Sequence, residues 1–329
     1  MYNAETTLEE ALTSLCQQTL EQFEIIAVDD GSADDSGAIL DAWAQREPRL
    51  RCVHVPHGGL VVALNRGLEQ CAAPLIARMD ADDICHPQRF EKQVDMFDAD
   101  ESLSVVACRV ESFPRADVRE GFRLYEQWQN RLLDHDDICR EIFIESPLAH
   151  PSAMFRADEV RELGGYHECQ WPEDYDLWLR YYVAGKRFGK HPETLLSWRE
   201  HPQRLTRTDG RYSIENFLRA KAHYLVQGPL AACDSLFVWG AGRTGRRLSK
   251  HLSRGGRTPL AFIDVDAGKI GSTVRQIPVF AAADLQGLWN EHERPFILAA
   301  VASRGARELI RQELRRQGLK EGEGFLCVA

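Results

Sequence analysis

The chain has 329 residues and a mass of 37.3 kDa, with 40 basic against 50 acidic side chains and a formal charge of -10. Apolar residues make up 44% and charged residues 27%, an ordinary globular composition that excludes wholesale disorder and fibrous or collagen-like classes. No apolar run reaches the ~20 residues of a membrane-spanning helix, and the polar, acidic start MYNAETTLEE does not read as a secretory signal.

Along the chain, helical and strand patterns alternate. Thr6 and Glu9 fit a capping box, and Leu8, Ala11, Leu12 and Leu15 follow at helical spacing. Phe23–Val28 reads as a strand ending in the turn Asp29-Asp30-Gly31-Ser32. A helix near 34–46, a strand at 50–55 and the breaker His57-Gly58-Gly59 come next, then a helix near 60–71. Leu75–Met79 is a strand ending at Asp80-Ala81-Asp82-Asp83, followed by a helix near 87–98 and a strand at Val105–Cys108. Residues 125–143 read as one helix and Ser152–Phe155 as a strand after His150-Pro151. Pro172 and Glu173 open a helix to about Ala184, with strands near 187–191 and 194–199 and a helix at 212–227. Leu236–Trp239 then leads into Gly240-Ala241-Gly242-Arg243-Thr244-Gly245.

Such alternation predicts an α/β fold with a mostly parallel sheet between helices, and ligands in such sheets bind at the carboxyl ends of strands. Both acidic clusters fall at predicted strand ends. Nine scattered cysteines without any C-x-x-C suggest free thiols in a reducing compartment, and the chain is expected to be cytoplasmic. Residues 234–329 carry fifteen Lys/Arg and ten Asp/Glu, which leaves twenty-five against forty in the first 233. The acidic part disfavours a nucleic-acid groove, because phosphates would be repelled, and suits a site that gathers a divalent cation.

Two carboxylates one residue apart at a strand end, Asp80 and Asp82, can hold a hard Mg or Mn ion through oxygen ligands. For an isolated match, a solvated turn capping a helix is the better explanation. The context decides between them. The stretches NAETTLEEALTSLCQQTLEQFEIIAVDDGSADDS, ALNRGLEQCAAPLIARMDADDICHPQRFEKQV, HPSAMFRADEVRELGGYHE and PEDYDLWLRYYVAGK, in that order, resemble family-two glycosyltransferases of the GT-A fold over about residues 2–208.

That resemblance implies a metal-dependent, inverting transfer of a hexosyl or N-acetylhexosaminyl group from a nucleotide-sugar, with UDP as the expected nucleotide. It places Asp30 and Asp29 on the uracil and ribose, and a carboxylate can accept from both groups. It carries the D-x-D motif onto Asp82 as direct metal ligand and Asp80 as ligand to ribose or to the metal shell. The E-D motif falls on Glu173 and Asp174, with Asp174 as the general base at the start of a helix; a plain helix-dipole role is the competing reading. Trp178 is expected in the core. His201 either joins the metal shell or is an exposed loop histidine. His150 matches a recurrent position near the acceptor. The implied partners are the donor and a glycan or lipid-linked acceptor of cell-surface polysaccharide synthesis. Family members begin with a hydrophobic strand just before the Tyr-Asn matched here by Tyr2-Asn3, and neighbouring strands are expected to lose ladder partners without it.

The expected division is a GT-A domain over 1–208, a helical linker over 209–233 and a Rossmann-like nucleotide-binding or accessory domain over 234–329. In the last, Gly240, Gly242 and Gly245 follow a strand and open a helix, with Asp264 at the end of the next strand. This segment also resembles the small N-terminal domain of some sugar O-acyltransferases. A ligand site and a structural or homodimerising role remain open for it. Arg304, Arg307, Arg311 and Arg315 recur at helical spacing, either as an anionic-lipid dock on the inner membrane surface or as a solvated face. Two other functions stand beside the transferase: an NAD-dependent oxidoreductase working through the glycine-rich loop, and a non-catalytic nucleotide-sugar-binding regulator.

Overall fold

A computed structural model describes all residues, 1–329. The chain divides into two compact units: residues 1–138, 147–169 and 173–208 form the first, and residues 139–146, 170–172 and 209–329 the second. Each is a mixed α/β structure.

In the first stretch of chain the elements are α1 (Leu8–Cys16), β1 (Ile25–Asp29), α2 (Ser36–Ala44), β2 (Leu50–His54), α3 (Leu60–Gln70), β3 (Leu75–Ala77), β4 (Ile84–Cys85), α4 (Arg89–Ala99), β5 (Leu103–Phe113), α5 (Glu120–Gln129), α6 (His135–Glu141), β6 (Met154–Arg156), α7 (Ala157–Glu162), α8 (Glu173–Val183), β7 (Arg187–Arg199) and α9 (Leu205–Thr208). β1 and β2 pair in parallel as a two-stranded sheet, and the remaining strands lie in the order β3-β6-β5-β7-β4. Within that sheet only β5 and β7 run parallel. The two sheets share one core, in which Leu8, Leu12 and Leu15 of α1 pack with Ile25, Leu40, Leu50, Phe90, Phe97, Val106 and Met154. Met1 lies along β1: its carbonyl accepts from the Asp30 N–H at 2.9 Å and its amine donates to the Val28 carbonyl at 2.6 Å.

Several local expectations need correction. The stretch 125–143 is broken into α5 and α6, whose boundary at 130–134 lets Asn130 bond both backbone groups of Val110 on β5. The two expected strands near 187–199 are one, because β7 follows β5 along its whole length and absorbs the irregularity as register shifts around Cys108–Val110. No capping box forms at Thr6 and Glu9. The N-cap is Thr7, whose hydroxyl is drawn away to carbonyls, and the Glu9 carboxylate accepts from the Trp43 indole at 2.9 Å.

The second unit holds α10 (Ile214–Gln227), β8 (Ser235–Trp239), α11 (Arg243–Arg254), β9 (Ala261–Asp264), β10 (Thr273–Val274), β11 (Ile277–Ala281), α12 (Leu285–Asn290), β12 (Pro295–Ala299), α13 (Ala306–Arg316) and β13 (Phe325–Cys327). Its sheet runs β10-β11-β9-β8-β12-β13, parallel except at β10. The central strands are apolar on both faces, as a sheet covered on both sides requires. The arginine stripe at 304–315 is a solvated face only in part: Arg304 and Arg315 are exposed. Arg311 is buried and pairs with Glu141 and with Glu321 at 2.9 Å, while Arg307 and Arg315 turn to the same two carboxylates. No helix of the chain is long and apolar enough to cross a membrane.

Candidate functional site

The acidic turn at 80–83 connects the two outer strands of the five-stranded sheet, β3 and β4, so both of its ends are fixed by ladder bonds. Three more contacts shape it. Arg199, at the end of β7, donates its backbone N–H to Asp83 Oδ1 at 2.7 Å and its Nε to the Asp82 carbonyl at 2.6 Å. The Thr7 hydroxyl donates to the Ala81 carbonyl at 3.0 Å. Oxygen atoms of Asp80, Asp82 and Asp83 thereby come within 4.8 Å of one another.

This crowding has an electrostatic cost. Burial, then the neighbouring carboxylates, push Asp83 well above the usual carboxylate range, and burial and Asp80 push Asp82 up in the same direction. The second oxygen of Asp83 is buried without a hydrogen-bond partner. Three converging hard oxygens with mutual repulsion and an unspent lone pair fit a divalent cation. His201, in the loop after β7, comes to the same place: its Nε2 lies 3.0 Å from Asp82 Oδ2. On the far side of the turn, Arg78 is ion-paired with Asp80.

Asp174 and Glu173 open α8, a helix buried almost all round by Tyr175, Leu177, Trp178, Leu179 and Tyr181. Such burial makes the helix a rigid seat. Trp178 is fully buried against His150, Phe155 and Tyr181, which makes it a core residue. The turn before α8 is clamped by Arg180, which donates to the carbonyls of Leu163 and Gly165, both at 2.7 Å. Burial above all, then the Glu173 charge, raise Asp174 to about 8, and Arg78 works in the opposite sense. The same arginine acts on Asp80 and Asp83, so the acidic turn and the start of α8 share one buried cation.

His150 donates to or accepts from the Tyr166 hydroxyl at 2.7 Å, and burial together with Arg78 keeps it neutral. Tyr166 is fixed from the other side by Asn65, whose amide bonds its N–H and its carbonyl, each at 2.8 Å.

Asp29 and Asp30 are more deeply engaged than ligands of a nucleotide need be. Asp30 accepts from the N–H groups of Gly58 and Gly59 at 2.8 and 2.9 Å, and its Oδ2 lies 2.9 Å from His57 Nδ1. Asp29 caps the turn through the Ser32 N–H at 3.0 Å and pairs with His54 at 3.1 Å. Gly31 is required between them: its φ is +69°, and a Cβ there would sit 2.7 Å from the His57 nitrogen. Tyr2 stacks on His57 beside this turn, ring centroids 4.2 Å apart.

In the second unit, Gly240 and Gly245 are closed positions; an added Cβ would meet Val301 at 2.6 Å and the Gly240 carbonyl at 1.9 Å. Gly242 faces open space, with nothing within 4 Å. Asp264 accepts from the Ala241 N–H at 2.8 Å and from Val265 and Asp266, and pairs with Lys269. The carboxylate thus ties the glycine-rich loop to the end of β9.

Sequence reasoning missed Arg78, Tyr166, Thr7 and the Arg199 backbone donor. Only Arg78 left a signal, a charged residue interrupting the apolar run that leads into the acidic turn.

The family model for glycosyl transferase family 2 matches residues 1–164. The amylovoran biosynthesis glycosyltransferase AmsE of Erwinia amylovora is 35% identical over 202 residues, 60% of this chain and 73% of that protein. The Escherichia coli UDP-Gal:alpha-D-GlcNAc-diphosphoundecaprenol beta-1,3-galactosyltransferase is 28% identical over 219 residues, covering 66% of this chain and 77% of its own. Among solved structures, S. aureus TarS 1-349 in complex with UDP-GlcNAc aligns with a TM-score of 0.57 at 17% identity, over 77% of this chain and 70% of that one. The last likeness concerns the fold.

Proposed function

This chain belongs to glycosyl transferase family 2, and from that premise we propose that it moves a sugar from a nucleotide-sugar, UDP-linked, to a glycan or lipid-linked acceptor in cell-surface polysaccharide synthesis. The observation that supports the reading is a cation-ready acidic turn together with a half-buried carboxylate at 174, both under the charge of Arg78.

In this scheme Asp82, with Asp80 and His201, would hold Mn or Mg, which supplies positive charge to the departing diphosphate. Asp30 and Asp29 shape the base and ribose pocket; a carboxylate has about four lone-pair sites, so Asp30 can accept from a ligand while holding Gly58 and Gly59. Asp174 takes the proton from the acceptor hydroxyl as its oxygen bonds to the anomeric carbon. The bond from that carbon to the diphosphate breaks on the opposite face, and the configuration inverts. Glu173 keeps the Asp174 proton affinity high. The polysaccharide role is supported by what the two relatives are named for, and the oxidoreductase reading of the glycine-rich loop finds no such support. UDP release over a panel of donors with Mn tests the proposal: release that depends on acceptor and disappears in Asp174→Asn is the expected result, and full activity in that variant would remove the base.

A second nucleotide site at Gly240, Gly242, Gly245 and Asp264 is favoured by one observation, the open space at Gly242 between two closed glycines. Equilibrium dialysis should then count two UDP-sugar sites per chain, falling to one in Gly242→Val. A single site in the wild type rejects it.

A further inference from the structure

We propose that Arg78 is the diphosphate-binding cation of this chain, held by Asp80 in the free protein and given over to the phosphate oxygens of the donor on binding. The inference rests on the transferase reading above and adds a residue to it.

A guanidinium carries five N–H donors and stays charged, so burying it without acceptors is costly. The Arg78 side chain is only 9% exposed. Its Nη1 is spent on Asp80 as an ion pair, but its Nε is buried with no hydrogen-bond partner. Every other arginine around the site is spent. Arg199 serves Glu10 and the Asp82 carbonyl, Arg180 serves Asp176 and two carbonyls, and Arg204 and Arg207 both serve Glu200. Among these arginines, Arg78 alone combines burial, full charge and an unspent donor.

Its surroundings narrow the missing acceptor. Arg78 pairs with Asp80, and its charge is felt by Asp83, Tyr166, His150 and Asp174. A ligand that takes Asp80's place on Arg78 lies at the acidic turn, where the proposed scheme puts the group leaving the sugar. The chemistry that answers a forked, buried guanidinium is a group with several anionic oxygens, and arginine binds phosphate by two parallel bonds. Asp80 is also one of the three carboxylates suited to a cation. A cation there competes with Arg78 for the Asp80 charge and leaves the guanidinium free for phosphate. A lysine would keep the charge but lose the fork.

Calorimetric titration of the full chain with UDP and with uridine, in Mn, separates this role from a structural one. Arg78→Met is expected to weaken UDP at least tenfold while uridine changes less than twofold, and Arg78→Lys to recover part of the loss. In turnover, Arg78→Lys should lower kcat more than it raises KM, because charge on the diphosphate grows as the bond breaks. Unchanged UDP affinity in a folded Arg78→Met overturns the proposal. If that variant does not fold, Arg78→Lys decides it, and wild-type UDP affinity there overturns it too. A wild-type chain that binds no UDP refutes the transferase reading itself, a separate outcome.

Discussion

His201 and Asp82 are separated by 119 residues in the chain and by 3.0 Å in space, ring nitrogen to carboxylate oxygen. The pair joins the segment after β7 to the acidic turn, and in the proposed scheme His201 helps hold the metal. His201→Ala is expected to raise the Mn concentration for half-maximal activity by roughly ten- to a hundredfold, the usual loss when a metal-site partner is removed. An unchanged Mn dependence places the histidine outside the shell.

With Asp174 as the proposed base, that residue sets the pH profile. A base must be ionised to accept a proton, and Asp174 is pushed up to about 8. The rate at low substrate concentration, kcat/KM, should therefore rise with pH through about 8 and then level. The stability contribution has the opposite sign: a carboxyl raised in the fold stabilises it fully below its unfolded value near 4, and loses that contribution as pH rises through 8. Asp174→Asn should cost about 10²- to 10⁴-fold in rate while flattening the pH dependence of melting. A rate profile flat between pH 6 and 9 contradicts the assignment.

The proposed scheme gives Asp30 two duties, and its removal should show both. Asp30→Ala strips the acceptor from the N–H groups of Gly58 and Gly59, and losing these part-exposed bonds should cost about 0.5–1.5 kcal/mol each. Denaturant unfolding should register that loss, and UDP affinity should fall with it. A loss of stability with intact nucleotide binding would make Asp30 scaffold only.

In the second unit, Glu141→Ala should destabilise by about 3–5 kcal/mol, because it leaves Arg311 buried with half its partners gone. Replacing Glu141, Arg311 and Glu321 together by apolar residues should cost less than that single change. Thermal unfolding in moderate salt distinguishes this buried cluster from a surface one, which salt would screen.

The acidic turn, the start of α8 and the strand–turn–helix at Gly240 were legible because each couples a short motif to a periodic element, and period is read locally. The Asp29-Asp30 turn was legible as a turn, but its use was not. Whether a carboxylate faces a ligand or the N–H groups of Gly58 and Gly59 depends on a loop 28 residues away. The contact of Thr7 with Ala81 and the donation from Arg199 to Asp83 span 74 and 116 residues, and no spacing rule reaches that far. The arginines of α13 show the same limit: a helical stripe looks alike whether water or buried glutamates lie opposite.

Strand β7 is bounded by β5 on one edge and β4 on the other, and it ends at the residue whose backbone fixes Asp83. Side chains on a strand alternate, so adding or deleting one residue within it would turn Arg199 to the opposite face and carry His201 off Asp82. This strand is therefore a gauge: homologues should vary freely in its letters but hold the count from the bulge near Thr194 to His201 constant.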